Sequence, residues 1–140
     1  MRTHRTMAAA FAGLALTLAA CSAAATPTPS GTDVTATLKE YSITPSAATA
    51  PAGEITFTVA NGGTMIHEFV ILKTEVQAAD LPLTNDEVTE DDYTVVDEVE
   101  DVEPAKSGTL TVTLEAGHYV FICNIAGHVR QGMATDFTVQ

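Results

Sequence analysis

Cysteine is scarce in this chain of 140 residues: there are two, Cys21 and Cys123. Two cysteines, one of them in the N-terminal segment, cannot staple a disulfide scaffold. Basic residues are scarce as well, six Lys and Arg against eighteen Asp and Glu, for a net charge of −12. So acidic a chain cannot replace the counterions of a phosphate backbone, which excludes nucleic-acid binding. The acids also lack the spacing, with its Gly and terminal Glu, of an EF-hand loop. Apolar residues make up 46% of the chain, too many for wholesale disorder. The length allows one domain.

The N-terminus reads as an address. Arg2 and Arg5 precede an apolar run from Met7 to Ala20, a charged region followed by a hydrophobic one. The run is rich in Ala and Gly and ends at Cys21, which makes it poor as a permanent membrane span. Leu18-Ala19-Ala20-Cys21 looks like a bacterial lipoprotein signal, in which residues 1–20 are removed and the sulfur of Cys21 carries the lipid. The alternative is an ordinary secretory peptide cleaved near Ala23 to Ala25. Either reading sends the domain out of the cytoplasm, and two acyl chains would hold it at the membrane face. Residues 21–32 are small, polar and Pro-bearing, a flexible tether.

Residues 33–140 form the expected domain, and there the apolar pattern has period two. Val34, Ala36 and Leu38 alternate with Thr35, Thr37 and Lys39; Ile55, Phe57 and Val59 with Thr56, Thr58 and Ala60; Leu110, Val112 and Leu114 with Thr111, Thr113 and Glu115. Such alternation predicts half-buried antiparallel strands. The runs Met65 to Leu72 and Tyr119 to Cys123 read as central strands, and Thr135 to Val139 as a last short one. Turns are expected at Pro51-Ala52-Gly53, Asn61-Gly62-Gly63, Ser107-Gly108 and Ala116-Gly117. The predicted fold class is all-β, a Greek-key β-sandwich or barrel. Residues 74–105 read as an acidic insertion, because Glu75 to Glu103 holds twelve of the eighteen acids. It is either a solvated excursion, pinned by Leu81-Pro82-Leu83 and Tyr93 to Val96, or a negative surface that steers a basic partner.

Cys123 has no disulfide partner in an extracytoplasmic chain whose other cysteine bears lipid. Free thiols there oxidise unless buried or metal-bound. A buried small hydrophobe is the plain reading. The residues that follow point elsewhere: Cys123, His128 and Met133 are spaced by five, with Gly127 and Gly132 directly before the latter two. In a continuing strand an odd spacing would put alternate side chains on opposite faces. Glycines permit the curl that brings all three together. A further imidazole is available at His67, on an apolar run where a lone His is otherwise a core residue. His118 reads as a solvent-facing turn residue, and Met65 as core packing.

Two imidazoles, a thiolate and a thioether (His67, Cys123, His128, Met133) suit copper in both oxidation states, and His₂Cys with a weak axial Met is the blue-copper arrangement. Zinc competes less well, since a thioether is a poor fourth ligand for it and Glu68, next to His67 in a strand, would point away as a base. With the strands and this C-x₄-H-x₄-M loop, the chain resembles the cupredoxins, small blue-copper proteins of the plastocyanin/azurin superfamily, and its loop is most similar to the rusticyanin- and sulfocyanin-like members. The resemblance implies equatorial binding of copper by His67, Cys123 and His128 and axial binding by Met133. It also implies that His128 reaches the surface through an apolar patch flanked by Ala126, Gly127 and Val129 and serves as the electron port. Ile66, Phe69, Ile125 and Val129 are candidates for a dry shell. Where many cupredoxins carry Asn after the first ligand His, this chain has Glu68.

The expected function is that of a monomeric one-electron carrier, not an enzyme, between membrane-associated redox partners such as a cytochrome, a terminal oxidase or a copper reductase with a basic docking surface. The alternative is a copper-delivery module without electron-transfer turnover. Delivery is less favoured because only Met65 and Met133 lie outside the N-terminal segment, and there is no Met-rich or His-rich tract. Multicopper enzymes need further copper sites, and a dinuclear centre needs a second thiol.

Overall fold

A computed structural model describes residues 31–140. The expected signal 1–20, the lipidation site Cys21 and residues 21–30 of the tether lie outside the described residues. Nine strands follow: β1 (Thr32–Lys39), β2 (Ser42–Pro45), β3 (Thr49–Ala50), β4 (Gly53–Asn61), β5 (His67–Lys73), β6 (Thr94–Val102), β7 (Ser107–Leu114), β8 (Gly117–Ile122) and β9 (Ala134–Val139). They form two sheets, ordered β2-β1-β4-β7 and β3-β9-β8-β5-β6. Among the described residues no helix is long and apolar enough to cross a membrane.

The alternating residues do what their period requires. Val34, Ala36, Leu38, Ile55, Phe57 and Val59 are fully or almost fully buried, while their Thr neighbours face outward or are half-buried. Leu110 and Leu114 join the same core. At its centre Phe57 of the first sheet meets Phe69, Phe121 and Phe137 of the second, with ring centroids 5.7, 5.3 and 5.9 Å away. Four aromatic rings, in tilted or edge-to-face contact, thus fill the space between the sheets.

Strand direction departs from the antiparallel expectation at two places. β1 pairs parallel with β4, and β3 parallel with β9. The chain changes sheets between β2 and β4, so β4 returns beside β1 in the same direction. Period two reports which face is buried and carries no information about direction. Ser107-Gly108, expected as a turn, opens β7 instead, and the reversal is made just before it, where Lys106 N–H bonds Glu103 O at 3.0 Å. Gly108 is needed for packing, because a Cβ there would collide with Val99 of β6.

The acidic segment is built into the fold. Its second half is β6, the edge strand of the larger sheet, paired antiparallel with β5. Charged residues on an edge strand discourage further strand addition. Its first half is pinned to the body, as Leu81, Leu83 and Tyr93 led one to expect. Leu81 and Val88 are buried with Val70, Leu72, Val120, Ile122 and Val129 in a second apolar cluster, and Leu83 and Tyr93 pack against it. The segment therefore covers the outer face of β5 and β8, whose uniformly apolar runs need burial on both sides.

Phe57→Ala would open a cavity between the sheets and cost about 3–5 kcal/mol. Urea unfolding followed by circular dichroism should show a lower midpoint at unchanged slope.

Candidate metal centre

Three elements deliver the site to one end of the sandwich. β5 begins at His67, β8 ends one residue before Cys123, and the loop to β9 returns His128 and Met133. That loop closes on itself. Cys123 N–H bonds Met133 O at 3.1 Å, Met133 N–H bonds His128 O at 3.0 Å, and His128 N–H bonds Ile125 O at 2.9 Å. Gly127 and Gly132 have φ of 85° and 111°, a left-handed conformation that glycine adopts without a Cβ penalty. The curl expected from their positions is present, with a single 3-10 turn (Val129–Gln131) between them.

The side chains converge. Cys123 Sγ lies 3.8 Å from His67 Nδ1 and 3.2 Å from His128 Nδ1. The two imidazole centroids are 5.2 Å apart. His67, Cys123 and Met133 are wholly buried, and His128 is 3% exposed. Met133 and Cys123 share the main core cluster.

These groups fit a metal ion. Bonds of roughly 2.3 Å to sulfur and 2.0 Å to nitrogen, held 120° apart, place S and N about 3.7 Å from each other. The two observed separations bracket that value. Without an ion, a thiol and two imidazoles in a dry core would forgo most of their hydrogen bonds. His67 Nε2 in fact has no hydrogen-bond partner. Burial holds the Cys123 thiol above its ordinary pKa, with the Glu68 N–H at 3.4 Å from Sγ pulling the other way. His128 is held below its ordinary value, first by burial and then by the neighbouring His67. Its imidazole is thereby kept neutral, as a ligand must be.

Around the donors the chain is braced from two sides. The loop before His67 is fixed by Asn61, whose amide donates to Met65 O and Val102 O at 2.7 Å each and whose Oδ1 accepts from Gly63 N–H at 2.8 Å. Glu40 accepts from Thr64 N–H at 2.5 Å and Met65 N–H at 2.7 Å. These bonds, that of Thr64 foremost, lower its pKa to about 2. The acidic segment braces the other side. Asn124 accepts from Val88 N–H and donates to Val88 O and Glu90 Oε1, at 2.7–2.9 Å. Gly127 N–H bonds Asp86 O at 2.9 Å, and Arg130 pairs with the Asp86 carboxylate. Neither Glu40 nor Asn61 stood out in the sequence, for both bind backbone, and the one trace of Asn61 is its place in Asn-Gly-Gly.

Four expectations need correction. Met65 does not pack in the core but is 43% exposed, and Ile66 is no part of a dry shell at 45%. β5 starts only at His67, so alternation does not extend back to them. Phe69 and Val129 are buried as expected, and Ile125 packs against the core. His118 is not a solvent-facing turn residue. It sits in β8, with Nδ1 2.6 Å from Thr74 O and Nε2 3.1 Å from Asp136. His128 scarcely reaches the surface, because Tyr41 lies edge-on against it at 5.2 Å.

The chain matches the family model of the cupredoxin-like domain over residues 8–135 and belongs to that family. No curated protein matches its sequence. Among solved structures it is similar to auracyanin from Roseiflexus castenholzii in its dithionite-reduced form, with a TM-score of 0.56, 22% identity, and coverage of 79% of this chain and 96% of that one. Auracyanin A from Chloroflexus aurantiacus, described as a "blue" copper protein, gives 0.55 and 21%, covering 77% and 99%. Rusticyanin from Thiobacillus ferrooxidans gives 0.55 and 19%, covering 79% of each chain. At these identities the likeness establishes the fold.

Glu68 follows His67, and its half-buried carboxyl has its pKa raised to about 7, by burial first and then by Glu90, Glu98 and Glu100. The neutral form is favoured in the fold, so stability present below the ordinary 4.5 is lost as pH rises through about 7. Thermal melts of the metal-free protein should fall between about pH 5 and about pH 8.5, and Glu68→Gln should flatten that fall.

Proposed function

We propose that this chain is a mononuclear type 1 copper protein that carries single electrons between redox partners outside the cytoplasm, held at the membrane face by lipid on Cys21. The observation that carries the reading is the meeting of Cys123 Sγ with the Nδ1 atoms of His67 and His128 in a dry pocket. His67, Cys123 and His128 would be the strong ligands and Met133 the weak one. Copper supplies one-electron chemistry by cycling between Cu(II) and Cu(I). The reduced auracyanin and the "blue" auracyanin A support the same chemistry.

The chain's own residues make such a cycle cheap. The ligand loop is closed by backbone bonds and backed by β5, β8 and the acidic segment, so the donors hold their places in both states. The Glu68 N–H points at the sulfur and stabilises the thiolate once its proton has left. Burial makes that proton hard to lose without a metal, so loading releases it and weakens as pH falls. The dry shell of Phe69 and Val129 favours the less charged state and raises the potential. Acids on β6 and the segment before it would speed encounter with a basic partner. Such docking contacts are small and transient.

Copper(II) added to the purified protein should produce an intense thiolate-to-copper band in the visible and narrow hyperfine splitting in the electron paramagnetic spectrum. Cys123→Ser should abolish both. A colourless product or a preference for zinc would overturn the reading. Met133→Leu should keep the colour and raise the potential in voltammetry. Electron transfer with a basic cytochrome should slow steeply with salt, whereas a flat response would leave the acids a role in solubility alone. Cys21→Ala should move the protein from the membrane fraction to the soluble one.

A further inference from the structure

The copper reading explains why His67 Nδ1 faces the sulfur but leaves the other ring nitrogen unexplained. Nε2 is buried and has no hydrogen-bond partner. A buried N–H left unpaired bears its full desolvation penalty. The group nearest to answering it is Oε1 of Glu40, 3.5 Å away. That oxygen is not there by chance. The N–H groups of Thr64 and Met65, in the loop that leads into His67, both donate to it. The Thr64 hydroxyl lies 3.4 Å from the same atom. The turn also leaves room for it, because a Cβ on Gly63 would stand 2.5 Å from Oε1 and 2.8 Å from the carboxyl carbon.

We propose that Glu40 is a positioning residue of the metal centre, its carboxylate accepting the Nε2 proton of His67 and so turning the Nδ1 lone pair toward the metal. This rests on the copper reading of the site. A charge-assisted N–H···O bond runs at roughly 2.7–2.9 Å, so a shift of well under 1 Å completes the contact. The proton on one imidazole nitrogen decides which nitrogen is free to ligate. A carboxylate behind a ligand histidine fixes that tautomer and strengthens the ligand. Its negative charge, one ring away from the ion, favours the more positive oxidised state. Glu40 therefore works against the dry shell and holds the potential down. If the carboxylate were merely a strap for the loop, neither tautomer nor potential would depend on its charge.

Glu40→Gln separates the two roles, because the amide oxygen still accepts from Thr64 and Met65 while the charge is gone. The first readout needs no metal: long-range ¹H–¹⁵N correlation of the copper-free protein reports which His67 nitrogen carries the proton. Wild type should show the Nε2–H form, and E40Q should lose part of it. The second is voltammetry of the copper-loaded protein. The preference for Cu(II) over Cu(I) should fall about tenfold in E40Q, a rise of about 59 mV for one electron. Gly63→Ala leaves Glu40 in place but crowds its carboxylate, and should shift both readouts in the same direction. An unchanged tautomer and potential in E40Q, with the fold intact by circular dichroism, would overturn the proposal. If wild type takes up no copper, the copper reading fails, and the metal-free tautomer alone decides whether Glu40 orients His67.

Discussion

Everything at the functional end depends on keeping one sulfur and two imidazole nitrogens within bonding range of a common point, away from water. Like polar groups crowded into a dry pocket have no reason to stay there unless something holds them or repays their lost hydration. In this chain a closed loop holds them. The Cys123–Met133 backbone bond shuts the loop at its base, and two left-handed glycines let it fold back over the sulfur. The aromatic core built on Phe57, Phe69, Phe121 and Phe137 belongs to the same buried cluster as Cys123 and Met133 and gives that loop a close-packed floor.

The acidic segment ties charge to architecture. Leu81 and Val88 bury the outer face of β5 and β8, and the same stretch grips the ligand loop through Asn124, Gly127 and Arg130. One piece of chain thus seals the sheet, braces the site and carries a large share of the negative surface. β6 continues that surface along the sheet edge. The proposed role as a carrier asks for brief meetings with partners and for ligands that stay still. Here the charge for the first and the bracing for the second come from neighbouring residues. Glu40 and Asn61 do the corresponding work before His67, by gripping backbone rather than by touching one another's side chains.

Much of this was legible in the residues. Alternation in β1, β4 and β7 marked the buried faces, because a pleated strand enforces period two. The interval of five among Cys123, His128 and Met133, with Gly127 and Gly132 beside them, marked a curled loop for the same stereochemical reason. Other features left no such trace. The parallel pairing of β1 with β4 depends on where the chain crosses between sheets. Partial burial of His118, exposure of Met65 and Ile66, and the burial of Val88 depend on what lies opposite each of them.

By itself the sequence determined the inventory: the donors, the strand faces, the glycines that permit the curl, and the sign of the surface. Local stereochemistry and composition are sufficient for these. Only the tertiary structure decided how near each histidine comes to the sulfur, which nitrogen of each ring faces it, and that a glutamate 27 residues upstream stands behind His67. Those are contacts between segments far apart in the chain, set by packing of two sheets, and no local pattern encodes them.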